Sequence, residues 1–72
     1  MPKVIKTTKL LKALKKLGFE KIRQKGSHLF LEHNDGRTTT VPLHKEIRPK
    51  LLTKIIKQDL KITIEEFYEQ TK

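Results

Sequence analysis

Two glycine-containing turns constrain this chain more than any other feature. They lie at residues 25–27 and 34–36, and the second contains Asp35 followed by Gly36. An Asp-Gly pair between strand-like segments is one of the strongest short-range signals for a β-hairpin. Residues 28–33 are therefore predicted to form the middle strand of an antiparallel meander, between a short strand over 20–24, centred on Ile22, and a third strand over 37–41.

Side chains of the middle strand must alternate between two faces. Leu29 and Leu31 form the better pair for a core, so the other face, which carries His28, is predicted to be open. His28 then lies on that open face or at its rim. Phe30 belongs to the same face, and both exposure beside His28 and partial burial under a loop remain open for it.

One helix is predicted before this meander in the chain, and another is predicted after it. Thr7 or Thr8 is expected to cap the first helix, and Gly18 to end it in a left-handed conformation. The second helix begins at Pro49, which suits the first helical position. Apolar stripes with helical spacing mark the buried faces of both: Leu10, Leu11, Leu14 and Leu17 in the first, and Leu51, Leu52, Ile55 and Ile56 in the second.

A short C-terminal helix follows. Thr63 and Glu66 have the spacing of a capping box, and Ile62 and Phe67 that of a hydrophobic staple. The order is α-β-β-β-α plus this helix, which predicts one α+β domain over residues 1–72, with a three-stranded antiparallel sheet and two helices on one face.

Composition narrows the class of protein. The chain has 72 residues and no cysteine, so neither disulfides nor thiolate metal sites can stabilise it. No apolar run is long enough to cross a membrane, and residues 1–6 lack the apolar segment of a signal peptide. We therefore expect a cytoplasmic protein without a membrane partner.

Positive charge is concentrated in the first part of the chain. The net charge is +9, and residues 1–31 hold nine of the 17 Lys and Arg residues but one of the eight acids. Such asymmetry favours a polyanion, RNA, over solubility alone. The residues expected to contact RNA are Arg23, Lys25 and Arg37, the last across the hairpin, together with Lys12, Lys15 and Lys16 of the first helix.

The three histidines do not suggest a metal site, which would need three or four converging ligands. His28 and His33 are predicted on opposite faces of one strand. Ser27 is a poor candidate for a nucleophile, because it would need a base beside it. His28 follows it directly, and the side chains of adjacent residues in an extended segment point apart. No cofactor is expected.

Cleavage of RNA asks little of the protein, because RNA supplies its own nucleophile, the 2′-hydroxyl. His28 can remove that proton as a general base. Lys25, Arg23 and Arg37 are expected near enough to His28 to stabilise the charge that develops on the phosphate, as are backbone N–H groups near Gly26. His44 is a candidate for protonating the leaving oxygen.

Four segments in order, residues 17–19, 23–28, 40–44 and 62–67, resemble the HicA toxin family, also called YcfA-like. The resemblance implies a double-stranded-RNA-binding-like fold, an mRNA interferase activity and inhibition by a HicB-like antitoxin. It places the catalytic histidine of the Gly-Ser-His motif at His28, with Gly26 and Ser27 in support, and matches a recurrent position at His44. Residues 45–49 depart from the family, which often has a glycine there.

A non-catalytic RNA-binding module of similar fold is the alternative function. Such a module would use cations at the start of the second long helix, where Lys45, Arg48 and Lys50 occur. The histidine at residue 28 favours the enzyme. The sequence is compatible with two assemblies, a homodimer and a toxin–antitoxin hetero-oligomer.

Overall fold

The computed structural model describes residues 3–72, so Met1 and Pro2, which contributed to the expectation of no signal peptide, lie outside it. The elements in chain order are β1 (Ile5–Lys6), α1 (Thr7–Lys16), β2 (Phe19–Lys25), β3 (His28–His33), β4 (Thr38–Pro42), β5 (Glu46–Ile47), α2 (Pro49–Lys54), a π-helical segment (Ile55–Leu60) and α3 (Ile64–Glu69).

The predicted α+β fold with a three-stranded antiparallel meander is confirmed, in the order β2-β3-β4. The outer strands differ from the predicted 20–24 and 37–41 by one residue at each end. Pro42 is the last residue of β4 and pairs with His28. A proline is tolerated there because the flanking Leu43 N–H donates to Ser27 O, which leaves His28 and Pro42 as a pair without mutual hydrogen bonds.

Helix α1 buries its apolar stripe as predicted, with Leu10 and Leu14 fully enclosed. Gly18 ends it with φ of +100°, and an added Cβ would stand 2.8 Å from Nε2 of His33. The predicted threonine cap is wrong. Lys6 is the N-cap residue, and the Thr7 hydroxyl instead donates to the carbonyl oxygen of His44.

A second, two-stranded sheet was not predicted. β1 pairs with β5, with Ile5 opposite Ile47, and both side chains are buried. Strands of two residues carry no period that a sequence pattern can reveal. The pairing ties the chain before α1 to the chain before α2.

Helix α2 begins at Pro49 as predicted and then widens into the π-helical segment. That segment ends at Lys61, which adopts a left-handed conformation with φ of 58°. The predicted capping box of α3 is confirmed by reciprocal hydrogen bonds between Thr63 and Glu66.

One hydrophobic core lies between the sheet and the helices. Leu29, Leu31 and Val41 point into it, while α1 packs against β2 and the π-helical segment against β4. The helices thus cover one face of the three-stranded sheet and leave the other face open.

Candidate functional site

His28 is the first residue of β3 and is exposed to solvent. Its strand alternates as predicted: Leu29 and Leu31 are buried, whereas His28 and Glu32 are exposed and Phe30 is half-buried. The prediction that His28 lies on the open face is confirmed. The strand therefore fixes the face of the sheet from which its side chain projects.

The turn before His28 depends on glycine for its backbone. Gly26 has φ of +60°, while an added Cβ would meet nothing within 4 Å. A two-residue loop with glycine in its first position is typical of hairpin turns that match the twist of the strands. The turn is thus open to solvent and presents Ser27 and the main chain at the end of the sheet.

A second histidine-bearing segment meets this turn. Pro42 lies opposite His28, and the Leu43 N–H donates to Ser27 O at 2.6 Å. His44 follows and is exposed. The two segments that the sequence singled out separately are therefore joined at one end of the sheet, although no described hydrogen bond involves the side chain of either histidine.

A β-bulge brings cations to the same face. The register of β2 against β3 shifts between Lys21 and Arg23, so Ile22 has no partner and is 56% exposed. An unbroken strand would put Phe19 on the same face as Arg23 and Lys25, because all three numbers are odd. The extra residue lets Phe19 enter the core while Arg23 and Lys25 face solvent beside β3.

The cations have defined positions on this face. Lys25 lies directly opposite His28, and Arg23 opposite Phe30. The Arg23 guanidinium carbon stands 4.6 Å from the centre of the Phe30 ring, within the range of a cation–π contact. Phe30 is thus covered by an arginine rather than by a loop.

The opposite end of the open face is acidic. Glu20 and Glu32 are cross-strand partners there, and both are exposed. Like charges directly opposite each other are destabilising, so this pair of glutamates does not contribute to the stability of the sheet. The face is polarised, with its positive end at His28, where an anion is favoured.

Arg37 does not lie beside His28, and that prediction of its position is wrong. Its carbonyl oxygen accepts from the N–H of His33, at the other end of β3. Its side chain binds the Asp35 carboxylate through Nε at 2.7 Å and also donates to Leu60 O. These contacts brace the hairpin against the end of the π-helical segment.

The contacts of Arg37 change the pKa of the Asp35 carboxyl group. The hydrogen bond from the Arg37 backbone N–H lowers the pKa of its carboxyl group, and the charges of Arg37 and His33 act in the same direction. The His33 ring packs edge-on against Phe19, with ring centres 5.2 Å apart. His33 therefore belongs to this structural cluster and not to the open face.

The α1 lysines are separated from His28 by the sheet. Lys12 and Lys16 line a groove between α1 and the C-terminal residues, and Lys16 Nζ donates to Lys72 O at 3.1 Å. Lys15 is exposed near the end of the helix. Apart from Arg37, the predicted RNA-contacting residues thus form two groups on different faces of the molecule.

Thr40, Pro42 and Leu43 complete the surroundings of His28 and were not predicted as site residues. Thr40 faces Phe30 across the sheet, and Leu43 is 36% exposed. The sequence feature that could have predicted these neighbours is the hairpin at residues 34–36, because its register fixes which residues of β4 lie beside His28.

Within residues 3–72, no cluster of three or more His, Cys, Asp or Glu residues could hold a metal ion. None of the helices over the same residues is long and apolar enough to span a membrane.

Fold and site together define a small basic α+β domain with an exposed histidine among cations on an open sheet. The family model described as HicA toxin of bacterial toxin-antitoxin matches residues 7–59, which is most of the 72-residue chain. The chain belongs to the HicA toxin family. It is therefore a toxin of a toxin–antitoxin system, which implies an antitoxin partner. No curated protein matches the chain.

Proposed function

We propose that this toxin is a metal-independent mRNA interferase, an endoribonuclease that uses His28 as its general base. The observation that carries the proposal is the hydrogen bond from Leu43 N–H to Ser27 O. It joins the His28 turn to the His44 segment, beside Lys25, so that two proton-transfer groups and a cation share one end of an open sheet.

The proposed reaction needs no group beyond RNA and this chain. Neutral His28 takes the proton of a 2′-hydroxyl, and the 2′-oxygen then attacks the adjacent phosphorus. The bond from phosphorus to the 5′-oxygen breaks, and His44 donates the proton that the leaving oxygen needs. The products are a 2′,3′-cyclic phosphate and a 5′-hydroxyl end. Lys25 and Arg23 stabilise the extra negative charge of the transition state.

Replacement of His28 with Ala is expected to reduce cleavage of a labelled single-stranded RNA by roughly 100- to 10,000-fold, the usual contribution of a positioned acid–base group. RNA affinity should change little because the binding charge is on lysine and arginine. The assay contains EDTA, which should have no effect. Glu32→Ala, an exposed change on the same strand and face, is the matched control. A folded His28→Ala chain that cuts at the native rate would refute the proposal.

The second candidate function is a non-catalytic RNA-binding module. The observation in its favour is that, over residues 3–72, no hydrogen bond orients the His28 imidazole. Tight RNA binding without cleavage by either the original chain or His28→Ala would establish it. The same open face is where we propose that a HicB-like antitoxin covers His28, with Phe30 as an anchor.

A further inference from the structure

Four cations surround an open groove on the helical layer, away from His28. Arg48, Lys50, Lys54 and Lys57 line it, and all four are exposed. Half-buried Leu51 and Thr53 form its floor, and the groove has a volume of about 620 Å³. We call this feature the basic groove.

The charges of the basic groove are unpaired within the described part of the chain. The ion pairs over residues 3–72 join Asp35 to His33 and Arg37, and Glu69 to Lys72. The first turn of α2 contains no acid, although an acid there would be favoured by the helix dipole. Nothing within the fold therefore neutralises these four cations.

Their spacing is unfavourable for the isolated protein. Lys50 and Lys54 are four residues apart within α2, which makes them neighbours on the helix surface. Like charges at this spacing destabilise the helix. A local rule broken without a compensating contact is expected where a protein binds something else.

The chemistry of the groove distinguishes between possible ligands. A nucleic acid would be bound by the cations, but single strands also rely on aromatic side chains for stacking, and none lines this groove. An apolar floor inside a charged rim is the anatomy of a protein interface. A polypeptide that carries carboxylates on either side of one apolar side chain fits both parts.

We propose that the basic groove docks an acidic segment of the antitoxin, with one apolar side chain of that segment on Leu51. The proposal rests on membership of the toxin family, which implies a protein partner, and not on the ribonuclease reaction. It gives the toxin a second contact surface, on the helical layer rather than on the open sheet face.

The test measures binding of the purified antitoxin and of a 20-nucleotide RNA to the full chain in a His28→Ala background, by calorimetry and fluorescence anisotropy. Lys54→Glu with Lys57→Glu is expected to weaken antitoxin binding by at least about tenfold. The control, Lys3→Glu with Lys9→Glu, makes the same charge change at other exposed positions and should cost less than about threefold.

Leu51→Asn is expected to weaken binding of the antitoxin and leave that of RNA unchanged, since it removes the apolar floor but no charge. Equal antitoxin losses in the two double variants would overturn the proposal. So would a loss confined to RNA, which would assign the groove to nucleic acid. All of these readouts are independent of cleavage, so failure of the ribonuclease proposal is recognised separately.

Discussion

Asp35 shows how one side chain can connect a hairpin to acid stability. The Arg37 backbone N–H lowers the pKa of its carboxyl group, with help from the charges of Arg37 and His33. A carboxyl group whose folded pKa is depressed stabilises the fold above its ordinary value of 3.8, and this contribution is lost as the pH falls through the folded value. The hairpin should therefore weaken in acid.

We predict that Asp35→Asn lowers the melting temperature at pH 7 and that the difference narrows as the pH falls below 3.8, the ordinary pKa of the carboxyl group. Thermal denaturation across this range measures it. Glu20→Gln is the control and should have the opposite sign at pH 7, because it relieves the repulsion from Glu32. A difference that stays constant with pH would contradict the role given to the Asp35 charge.

Single residues were predicted well where local geometry decides their conformation. Gly18, Pro49 and Thr63 occupy the positions that the sequence assigned to them. Thr7 was not predictable in this way, because its hydroxyl binds a carbonyl 37 residues away. Arg37 likewise depends on distant partners, notably Leu60 O.

At the scale of elements, the bulge in β2 decides which side chains surround His28. Because Ile22 is the unpaired residue, its removal should leave each cross-strand pair of β2 and β3 as it is. Removal of Gln24 would also give a regular strand, but Arg23 would then lie opposite Leu29. Alternation counted from Lys25 puts that position on the face away from His28.

We predict that the chain without Ile22 melts within about 5 °C of the original and keeps its RNA affinity. The chain without Gln24 should bind RNA more weakly, because Arg23 would then lie away from the open face and could no longer contact Phe30. Melting curves and RNA titrations of both variants provide the measurement. The same result for the two deletions would show that the bulge does not position these cations.

The sequence predicted helices and hairpins because their periods and turn residues are local. It did not predict the bulge, which resolves a conflict between the core position of Phe19 and the exposed positions of Arg23 and Lys25. It also missed the pairing of Ile5 with Ile47, because each strand has only two residues and the two lie far apart in the chain. The catalytic assignment of His28 remains a prediction.

At the scale of the whole molecule, the cations expected to bind RNA lie on two sides of the sheet. Arg23 and Lys25 are on the open face, whereas Lys12, Lys15 and Lys16 are on α1. A short RNA can contact the first group alone, but a longer strand can reach around the domain to both. The dependence of binding on salt can separate the two, because each phosphate contact in a single strand contributes a slope of about −0.7 to log K against log salt concentration.

We predict a slope of about −1.4 for a 6-nucleotide RNA and a steeper one, toward about −3.5, for a 20-nucleotide RNA, from two and five contacts respectively. Replacing Lys12, Lys15 and Lys16 with Gln should flatten the slope for the long RNA only. Anisotropy titrations with the His28→Ala chain at several salt concentrations measure both. An affinity that does not change with salt would exclude electrostatic binding.

The proline opposite His28 also limits how this sheet can grow. In a pair without mutual hydrogen bonds, the backbone nitrogen of the edge residue points outward, and at Pro42 it carries no hydrogen. A strand arriving at the β4 edge would lack a donor at that point, which discourages fibril formation and strand exchange between copies. At the β4 edge, a peptide added as a further strand would lack this hydrogen bond, so an inhibitor for that side is better designed to lie over the open face.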